Sequence, residues 1–495
     1  MEKQELFGNN RDLVLYLMGS LCGVALVWRI PFLVYEFGGG AFILAYFIGL
    51  FILGLPLFIL ELLLGQKMEG PLTVIIKKIK YKLQWIGWVS FILCFIFINY
   101  LSIVLIYSVD HLYYTSYAAL NPLGIQELNV KLSNAAKNFE AFNQLSPFKA
   151  VFALLLLWLV IYGTLQLGFK FIKKMNSTLL IILSCLLITL STKGFLYILK
   201  DTAGLNHLLE IVRFSGMFDV SLWLQAFSQA GLTLGVGLGL VPTLATHRPR
   251  TAEVIRLSRR IALLFLILSI IVSLHIISTL GFMANISGES VLTLFNEKRF
   301  SLIFLLFPSF LQQTSQTVLF LIIYFIFLFL SGFLSLVLLS QMAVLFLREH
   351  WSFPYRRTNR IFCLFSFILG IFIMSELNIP RLNVFDQYLI NFGLLTVILV
   401  EIFIFMHRYD PQELMDFIEM GSGSKIGRGF FFLTQWIAPV ILFILILLGF
   451  TAELGSILEK NLFWRTKILS IVFLFAAFAV AYFMPRIFQK DRTLD

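Results

Sequence analysis

Ionisable side chains stand inside long apolar stretches of this chain of 495 residues, and they indicate what chemistry it can do. Glu61 lies in the apolar stretch 41–67, where a carboxylate must be protonated or must find donors such as backbone N–H groups freed at a helix break. We interpret Glu61 as a buried carboxyl that holds two helices together. An intramembrane enzyme would need a cluster of His and carboxylate residues, and His275 has no companion nearby in the sequence. The chemistry indicated is therefore the binding of ligands and ions, and not catalysis.

Two glycine-rich stretches predict interrupted helices that would position such binding groups. Gly19 and Gly23 stand four residues apart, ahead of Arg29 and Pro31, and four further glycines fall within residues 231–239. At a break in mid-membrane, free N–H groups carry partial positive charge and free C=O groups partial negative charge, which suits an anionic substrate group and a cation. Close packing of helices through small residues explains glycines four apart as well, and both interpretations stay open.

Composition places these residues in an integral membrane protein. The chain is 59% hydrophobic and 13% charged, with 54 Phe, whereas a soluble domain has about one-quarter charged residues. Repeated apolar runs of about 20 residues match a membrane-spanning helix, so we predict an all-α integral membrane fold with about twelve transmembrane helices. The predicted spans are residues 11–37, 41–67, 85–107, 148–167, 175–192, 220–246, 260–283, 317–347, 361–375, 387–407, 431–450 and 467–485.

The two glycine-rich stretches fall in the first and sixth predicted spans. Breaks at corresponding positions of two five-span halves favour an inverted repeat, with the substrate bound where the breaks meet. We therefore expect a single transmembrane transporter domain over residues 1–495. Its first repeat would cover residues 11–192, its second, inverted repeat residues 220–407, and its last two spans residues 431–490.

The net charge of +11 is distributed as in a membrane protein, because the basic residues concentrate in alternate short loops. By the positive-inside rule, we expect both termini in the cytoplasm of a multi-pass protein of the plasma (inner) membrane, in contact with the lipid bilayer and without a nucleic-acid partner. All four cysteines, Cys22, Cys94, Cys185 and Cys363, lie in apolar segments. They are expected to be buried free thiols and not disulfides or metal ligands.

Short motifs extend this interpretation. Those in the first two spans are Arg29 with Pro31, Glu36, residues 38–42 (GGGAF), Gly54 with Pro56, Glu61, and residues 64–66 (LGQ). Looser motifs follow at residues 223–229, at Ser331 with Ser335 and Gln341, and at Asp386 with Glu401. Together they resemble the neurotransmitter:sodium symporter family over essentially the whole chain. The resemblance implies a LeuT-type fold, a 5+5 inverted repeat with helices 1 and 6 broken at mid-membrane.

The resemblance also implies import of amino acids or related amines. Carriers of monoamines have an Asp in the first break where this chain has Gly23, so a zwitterionic amino acid is expected. By position, the backbone at Val24 and Ala25 would meet its carboxylate, joined by Tyr100 or Leu101 of the third span. The pocket for the substrate side chain would be lined by Leu232, Gly235, Leu238 and Ser335, with extra room at Gly235.

The resemblance further implies two sodium sites, and both depart from the family pattern. The first keeps the Leu21 carbonyl and Thr233, but Leu26 replaces an Asn, and we expect this site to be lost because sodium needs oxygen ligands. The second keeps Gly19, Cys22, Ser331 and Ser335, while Leu334 replaces a hydroxyl residue and weakens it. Arg29 and Asp386 would form the outer gate pair.

These observations predict a secondary transporter of amino acids that works by alternating access. No organic cofactor is expected, and Na⁺ is the candidate coupling ion at a degenerate set of sites. The alternatives are an ion-independent exchanger and a sensor or partner-binding membrane protein that binds an amino acid without transporting it. Substrate identity, coupling ion, stoichiometry and oligomeric state are left open by the sequence.

Overall fold

The computed structural model describes residues 9–120, 146–199, 214–247, 254–287, 304, 317–351, 353–376, 379–410, 412–414, 416–417, 427–460 and 463–489. Over these residues the chain is helical and contains no strand. The prediction of an all-helical fold is confirmed.

Ten helical segments of the described residues are long and apolar enough to cross a membrane. They are Gly39–Met68, Tyr81–Tyr117, Pro147–Gln166, Gly168–Thr192, Val254–His275, Val318–Arg348, Tyr355–Ser375, Arg381–His407, Gly429–Leu458 and Trp464–Ile487. We number them spans 2 to 5 and 7 to 12, with residues 10–37 as span 1 and residues 220–245 as span 6. The ten segments together with spans 1 and 6 make twelve. That all twelve cross the membrane stays a prediction.

The ends of the spans follow ordinary helix chemistry. Span 4 begins with the Ser146 hydroxyl accepting a hydrogen bond from the Lys149 N–H at 3.4 Å, and Pro147 occupies the first turn, where a missing N–H costs nothing. Span 6 begins with the Asp219 carboxylate accepting from the Ser221 N–H at 2.8 Å. These caps satisfy N–H groups that have no partner within the helix.

Span 1 changes its helical form in the middle and continues as helix. The α-helix Asn10–Leu21 passes into a π-helix, Cys22–Arg29, and then into the α-helix Ile30–Phe37. The sequence analysis expects an interrupted helix here, whereas in the structure the helix continues through this segment. The segment is rich in apolar residues, whose side chains offer few partners to freed peptide groups, so the backbone keeps its own hydrogen bonds in wider turns.

Span 6 is interrupted at its glycines. The α-helix Val220–Leu234 ends, and a second helix, Leu240–Ala245, begins after five residues. Gly235, Gly237 and Gly239 have φ values of +70°, +75° and +67°, a left-handed conformation that side chains disfavour. The interruption lies where the sequence places it.

Span 8, the helix Thr317–Arg348, stands at the centre of the packing. It contacts span 3, span 5 and both the α-helical start and the π-helical segment of span 1. The two halves of span 6 pack against span 2, Val220–Leu234 on Gly39–Gly49 and Leu240–Ala245 on Leu55–Met68. Spans 5 and 12 instead expose large apolar side chains, among them Ile181 and Phe475, as expected for faces turned to lipid.

Candidate ion and substrate site

Spans 1 and 8 meet at small residues. The Ser335 hydroxyl donates a hydrogen bond to the Gly19 carbonyl at 3.1 Å. A Cβ atom on Gly23 would lie 2.2 Å from the Ser331 carbonyl oxygen and 2.7 Å from the Ser335 hydroxyl, so only glycine allows this approach. The structure therefore brings together Gly19, Ser331 and Ser335 of the predicted second sodium site. Cys22, its fourth member, opens the adjoining π-helical segment, and its side chain lies outside the described residues.

The oxygen atoms at this joint are few and uncharged. The Ser331 hydroxyl donates to the Leu328 carbonyl of its own helix at 2.9 Å, so the Ser335 hydroxyl is the one turned to span 1. Leu334 is buried and supplies no oxygen. Carbonyl and hydroxyl oxygens suit a hard cation, but a short set of neutral ligands holds it weakly.

Asn176 of span 5 contacts the same part of span 1. Its Nδ2 donates to the Leu15 carbonyl at 2.9 Å, and a Cβ atom on Gly19 would lie 2.0 Å from its Oδ1. Asn176 lies inside the helix of span 5, which begins at Gly168, so it does not cap that helix. An amide inside an apolar stretch is the signal that could have identified this contact.

The predicted gate residues lie together in the interior. Arg29 Nε is 3.4 Å from Asp386 Oδ2, and the side chains are 4% and 2% exposed. Arg29 Nη2 also donates to Gln225 Oε1 at 3.2 Å, which ties the end of the π-helical segment to span 6. Sequence reasoning missed Gln225. The role of the ion pair as a gate stays a prediction.

The residues predicted to bind substrate fall into three places. Val24 and Ala25 lie in the π-helical segment, and their side chains are outside the described residues. Tyr100 is buried in span 3 with its ring centroid 6.1 Å from that of Phe97, and Leu101 beside it is buried. Leu232 and Leu238 are buried on either side of the break in span 6. Their grouping around one ligand remains a prediction.

The expectation of extra room at Gly235 is wrong. A Cβ atom there would lie 2.9 Å from Leu21 Cδ1 and 3.0 Å from Leu240 Cδ2, so these side chains already fill the space. Glycine is required for another reason: with φ at +70° it caps the C-terminus of the helix Val220–Leu234. The Leu21 side chain therefore packs against the interruption of span 6. Its carbonyl is the group predicted to bind the first sodium ion.

A hydroxyl cluster surrounds Thr233, the other predicted ligand of the first sodium. Gln229 Nε2 donates to the Thr233 hydroxyl at 3.2 Å, and Tyr46 forms a side-chain hydrogen bond with Thr233. The Ser269 hydroxyl donates to the Tyr46 hydroxyl at 3.3 Å. Leu26 is fully buried and contributes no side-chain oxygen. Neutral O–H and N–H groups therefore converge here from spans 2, 6 and 7, an arrangement that sequence reasoning did not connect.

Glu61 has the kind of partner that its position requires. It is fully buried, and its Oε1 accepts a hydrogen bond from the Gly237 N–H at 2.8 Å. Because Gly237 lies inside the interruption of span 6, this peptide group has no helical partner to take its place. The carboxyl group thus joins span 2 to the break in span 6, as expected of a residue that holds two helices together.

Comparisons with known proteins find relatives that match most of the chain. An uncharacterized sodium-dependent transporter of Methanocaldococcus jannaschii is 24% identical over 99% of both chains. The sodium- and chloride-dependent taurine transporter of Homo sapiens is 26% identical over 89% of this chain and 77% of that protein. The crystal structure of MhsT in complex with L-phenylalanine has a TM-score of 0.73 at 20% identity and covers 90% of this chain and 99% of that one, which shows a shared fold.

The family model matches nearly the full length. The description "Sodium:neurotransmitter symporter family" applies to residues 4–144 and 126–487, and together with the ten apolar helices of the described residues it makes the chain a multi-pass membrane protein. The resemblance seen in the motifs of the first two spans is therefore confirmed. This chain belongs to the sodium:neurotransmitter symporter family, whose members are transporters and not enzymes.

Proposed function

We propose that this protein is a secondary transporter that carries amino acids across the plasma membrane by alternating access, with sodium as the coupling ion. The observation that carries the proposal is the hydrogen bond from the Ser335 hydroxyl to the Gly19 carbonyl across two spans, beside the interrupted span 6. Both oxygen atoms can turn towards one cation. Family membership and the sodium dependence named for its relatives support the same conclusion.

The ion set of the proposed transporter is reduced. The second site, with Gly19, Cys22, Ser331 and Ser335, would hold sodium with few oxygen atoms, while the first site would be lost at Leu26. The loss of the first site is supported by Thr233, because its hydroxyl already accepts a hydrogen bond from Gln229 Nε2. We therefore expect sodium to stimulate transport at high concentrations and to bind weakly.

The substrate class follows from the lining of the proposed pocket. Leu232 and Leu238 are buried and apolar, and Gly235 adds no room, so an amino acid with an apolar side chain of moderate size would fit best. Its carboxylate would meet the backbone at Val24 and Ala25, and Tyr100 or Leu101 would complete that end. An amino acid is the ligand named for the MhsT structure.

Uptake by purified protein tests the proposal. The protein is reconstituted in liposomes, and accumulation of each radiolabelled amino acid is measured under an inward sodium gradient, a proton gradient, or counter-substrate exchange. We expect accumulation of at least one apolar amino acid that rises with sodium. Failure of every substrate under all three driving conditions would exclude a transporter of amino acids.

The first prediction concerns the proposed second sodium site. Ser335→Ala removes the hydroxyl that bonds the Gly19 carbonyl. The loss of one hydrogen-bonding group to a charge costs about 1.5–3 kcal/mol, so sodium activation should weaken by about ten- to a hundredfold. Sodium dependence of uptake is the measurement. Ser184→Ala is the matched control, since that hydroxyl only bonds the Leu180 carbonyl of its own helix in span 5 and the variant should retain wild-type activation. An unchanged sodium response in Ser335→Ala would show that sodium does not bind at this site.

A second candidate function is a sensor or partner-binding protein that binds an amino acid without moving it. Leu26 and Leu334 favour it, because each removes an oxygen atom that ion coupling would use. Saturable binding in a scintillation assay together with absent uptake and absent exchange would select the sensor. Exchange without any effect of sodium would select an ion-independent exchanger.

Chloride is a further ion to vary in these assays. Tyr46, Gln229, Thr233 and Ser269 bring neutral hydrogen-bond donors together, and donors without fixed charge suit an anion. Chloride dependence is also named for the taurine transporter relative. Replacement of chloride by gluconate should lower uptake if the cluster holds the anion.

A further inference from the structure

Two glutamates from different parts of the fold meet in the interior. Glu61 of span 2 and Glu401 of span 10 are both fully buried, and their side chains are in hydrogen-bonding contact. The proposed transport site does not use either carboxyl group as a ligand. A pair of carboxyl groups in a membrane interior therefore requires a separate explanation.

The hydrogen bonds of the pair leave one oxygen atom of each group without a donor. Glu61 Oε1 accepts from the Gly237 N–H at 2.8 Å, and Glu401 Oε1 accepts from the Ser90 hydroxyl at 3.0 Å. The Oε2 atoms of both residues are buried, and no N–H or O–H group of the described residues reaches them. A proton between the two carboxyl groups supplies the missing donor to both.

The charges around the pair do not replace that proton. The charged group that acts on Glu61 among the described residues is Glu401, and it repels. The basic residues of the elements packed against the pair stand towards the ends of those elements: Lys67, six residues or about 9 Å further along span 2, Lys77 and Lys78 in the last turn of the helix Leu72–Ile79, and the exposed Arg256, Arg259 and Arg260 at the start of span 7. On the two spans that carry the pair, the other titratable groups include Tyr46 of span 2 and Arg381, Asp386, Tyr388 and His407 of span 10, with Arg381 and His407 at the two ends of that span. Those on neighbouring spans include Cys94, Tyr100, Tyr107, Asp110 and His111 of span 3, His275 of span 7, and Glu453 of span 11, which pairs with Lys467.

Two carboxylates in contact cannot both remain ionised in a low-dielectric interior without a compensating cation. We propose that Glu61 and Glu401 together form a proton-binding site that holds one proton between spans 2 and 10. No other atom is transferred: the proton comes from water and returns to water when the two groups separate.

The position of the site gives the proton a mechanical effect. Glu61 holds Gly237 in the interruption of span 6, whereas Glu401 holds Ser90 of span 3. The shared proton thus fastens the break of span 6 to spans 3 and 10. Span 2 packs against both halves of span 6. If it moves with span 6 away from spans 3 and 10 during alternating access, a step that rests on the proposed function, the pair opens and the proton is released.

Infrared spectroscopy detects this proton without any substrate. The full-length protein is placed in lipid nanodiscs at pH 7, and the C=O stretching band of protonated carboxylic acids is recorded in H₂O and D₂O. We expect a band that shifts in D₂O and is lost in Glu401→Gln and in Glu61→Gln, because either amide supplies a fixed N–H donor and leaves the remaining carboxylate ionised. Glu453→Gln is the matched control, since Glu453 is paired with Lys467 at 2.7 Å and should leave the band unchanged.

A pH titration of the wild-type protein provides a test that does not depend on whether the variants fold. In the wild type, the band should disappear as pH is raised, and the temperature of unfolding should fall over the same range because the two carboxylates then repel. Glu401→Gln should show no such fall. A wild-type spectrum without the band at pH 7, or a band that persists in both glutamine variants, would overturn the proposal. Since no flux is measured, failure here leaves the proposed transport function standing.

Discussion

At the scale of single residues, burial decides which side chains must have partners. Arg29 and Asp386 could be paired from the sequence because a lone charge inside a membrane protein is costly and each needs an opposite charge nearby. Gln225 could not be found in this way, since a neutral amide in an amphipathic helix has many possible partners. The role of Gly235 was also beyond the sequence, because room around a glycine depends on the side chains of other spans.

The second prediction concerns the buried ion pair. Asp386→Asn removes the carboxylate that lies 3.4 Å from Arg29 Nε in the interior. Breaking a buried pair typically costs about 3–5 kcal/mol. The temperature of unfolding of the purified protein should fall clearly. Glu413→Gln is the control, since Glu413 forms an exposed pair with Lys67, and an exposed pair contributes about 0–1 kcal/mol. Equal stability of Asp386→Asn and the wild type would show that Arg29 is held by other groups.

The third prediction uses the close approach of spans 1 and 8. Gly23→Ala places a methyl group 2.2 Å from the Ser331 carbonyl oxygen, which is backbone and cannot rotate away. Overpacking of this kind costs about 1–3 kcal/mol, so the variant should unfold at a lower temperature and lose uptake. Gly163→Ala in span 4 meets nothing within 4 Å and should be neutral or slightly stabilising, by up to about 1 kcal/mol. Similar behaviour of the two variants would contradict the packing described here.

At the scale of elements, hydrophobic runs predict the helices well, but their interior form depends on tertiary contacts. Span 6 is interrupted because three glycines take left-handed conformations, a preference visible in the sequence. Span 1 has glycines as well, yet residues 22–29 form a π-helix. The difference arises because Gly19 and Gly23 serve close contacts to spans 5 and 8, which the sequence alone does not reveal.

The fourth prediction separates backbone strain from crowding in the interruption of span 6. Gly239 has φ at +67°, and a Cβ atom added there would meet no atom closer than 3.8 Å. In Gly239→Ala only the left-handed backbone conformation is therefore unfavourable, by about 1–2 kcal/mol. Gly237→Ala adds a contact of 2.6 Å to Ile398 Cγ1 and should be the more destabilised of the two. Thermal unfolding of both variants measures the difference. The reverse order would mean that Ile398 moves aside and that crowding adds no cost to the backbone strain at Gly237.

At the scale of the whole molecule, the class of fold could be predicted from composition and from the pattern of apolar runs. Apolar runs of membrane length indicate a helical membrane protein, and the motifs of the first two spans indicate the family. The placement of Glu61 against Glu401 could not be predicted in the same way, because it joins residues 340 positions apart and depends on how spans 2, 3 and 10 pack.

The fifth prediction concerns orientation. Because basic residues concentrate in alternate loops, both termini should lie in the cytoplasm. A C-terminal green fluorescent protein fusion should therefore fluoresce, and alkaline phosphatase fused at the same point should be inactive. Phosphatase fused after residue 130, in the loop expected outside, is the control and should be active. The opposite pattern would invert the proposed topology.

The N-terminal half of span 1 is fastened to span 5 by two different kinds of contact. The Lys173 ammonium group pairs with the Asp12 carboxylate, and one helical turn further along span 5 the Asn176 amide bonds the Leu15 carbonyl. The ionic contact is partly exposed and weakens with salt, whereas the amide contact is buried and does not. Because the exposed ion pair is the weaker of the two contacts, separation of span 1 from span 5 should begin at the N-terminal end of span 1.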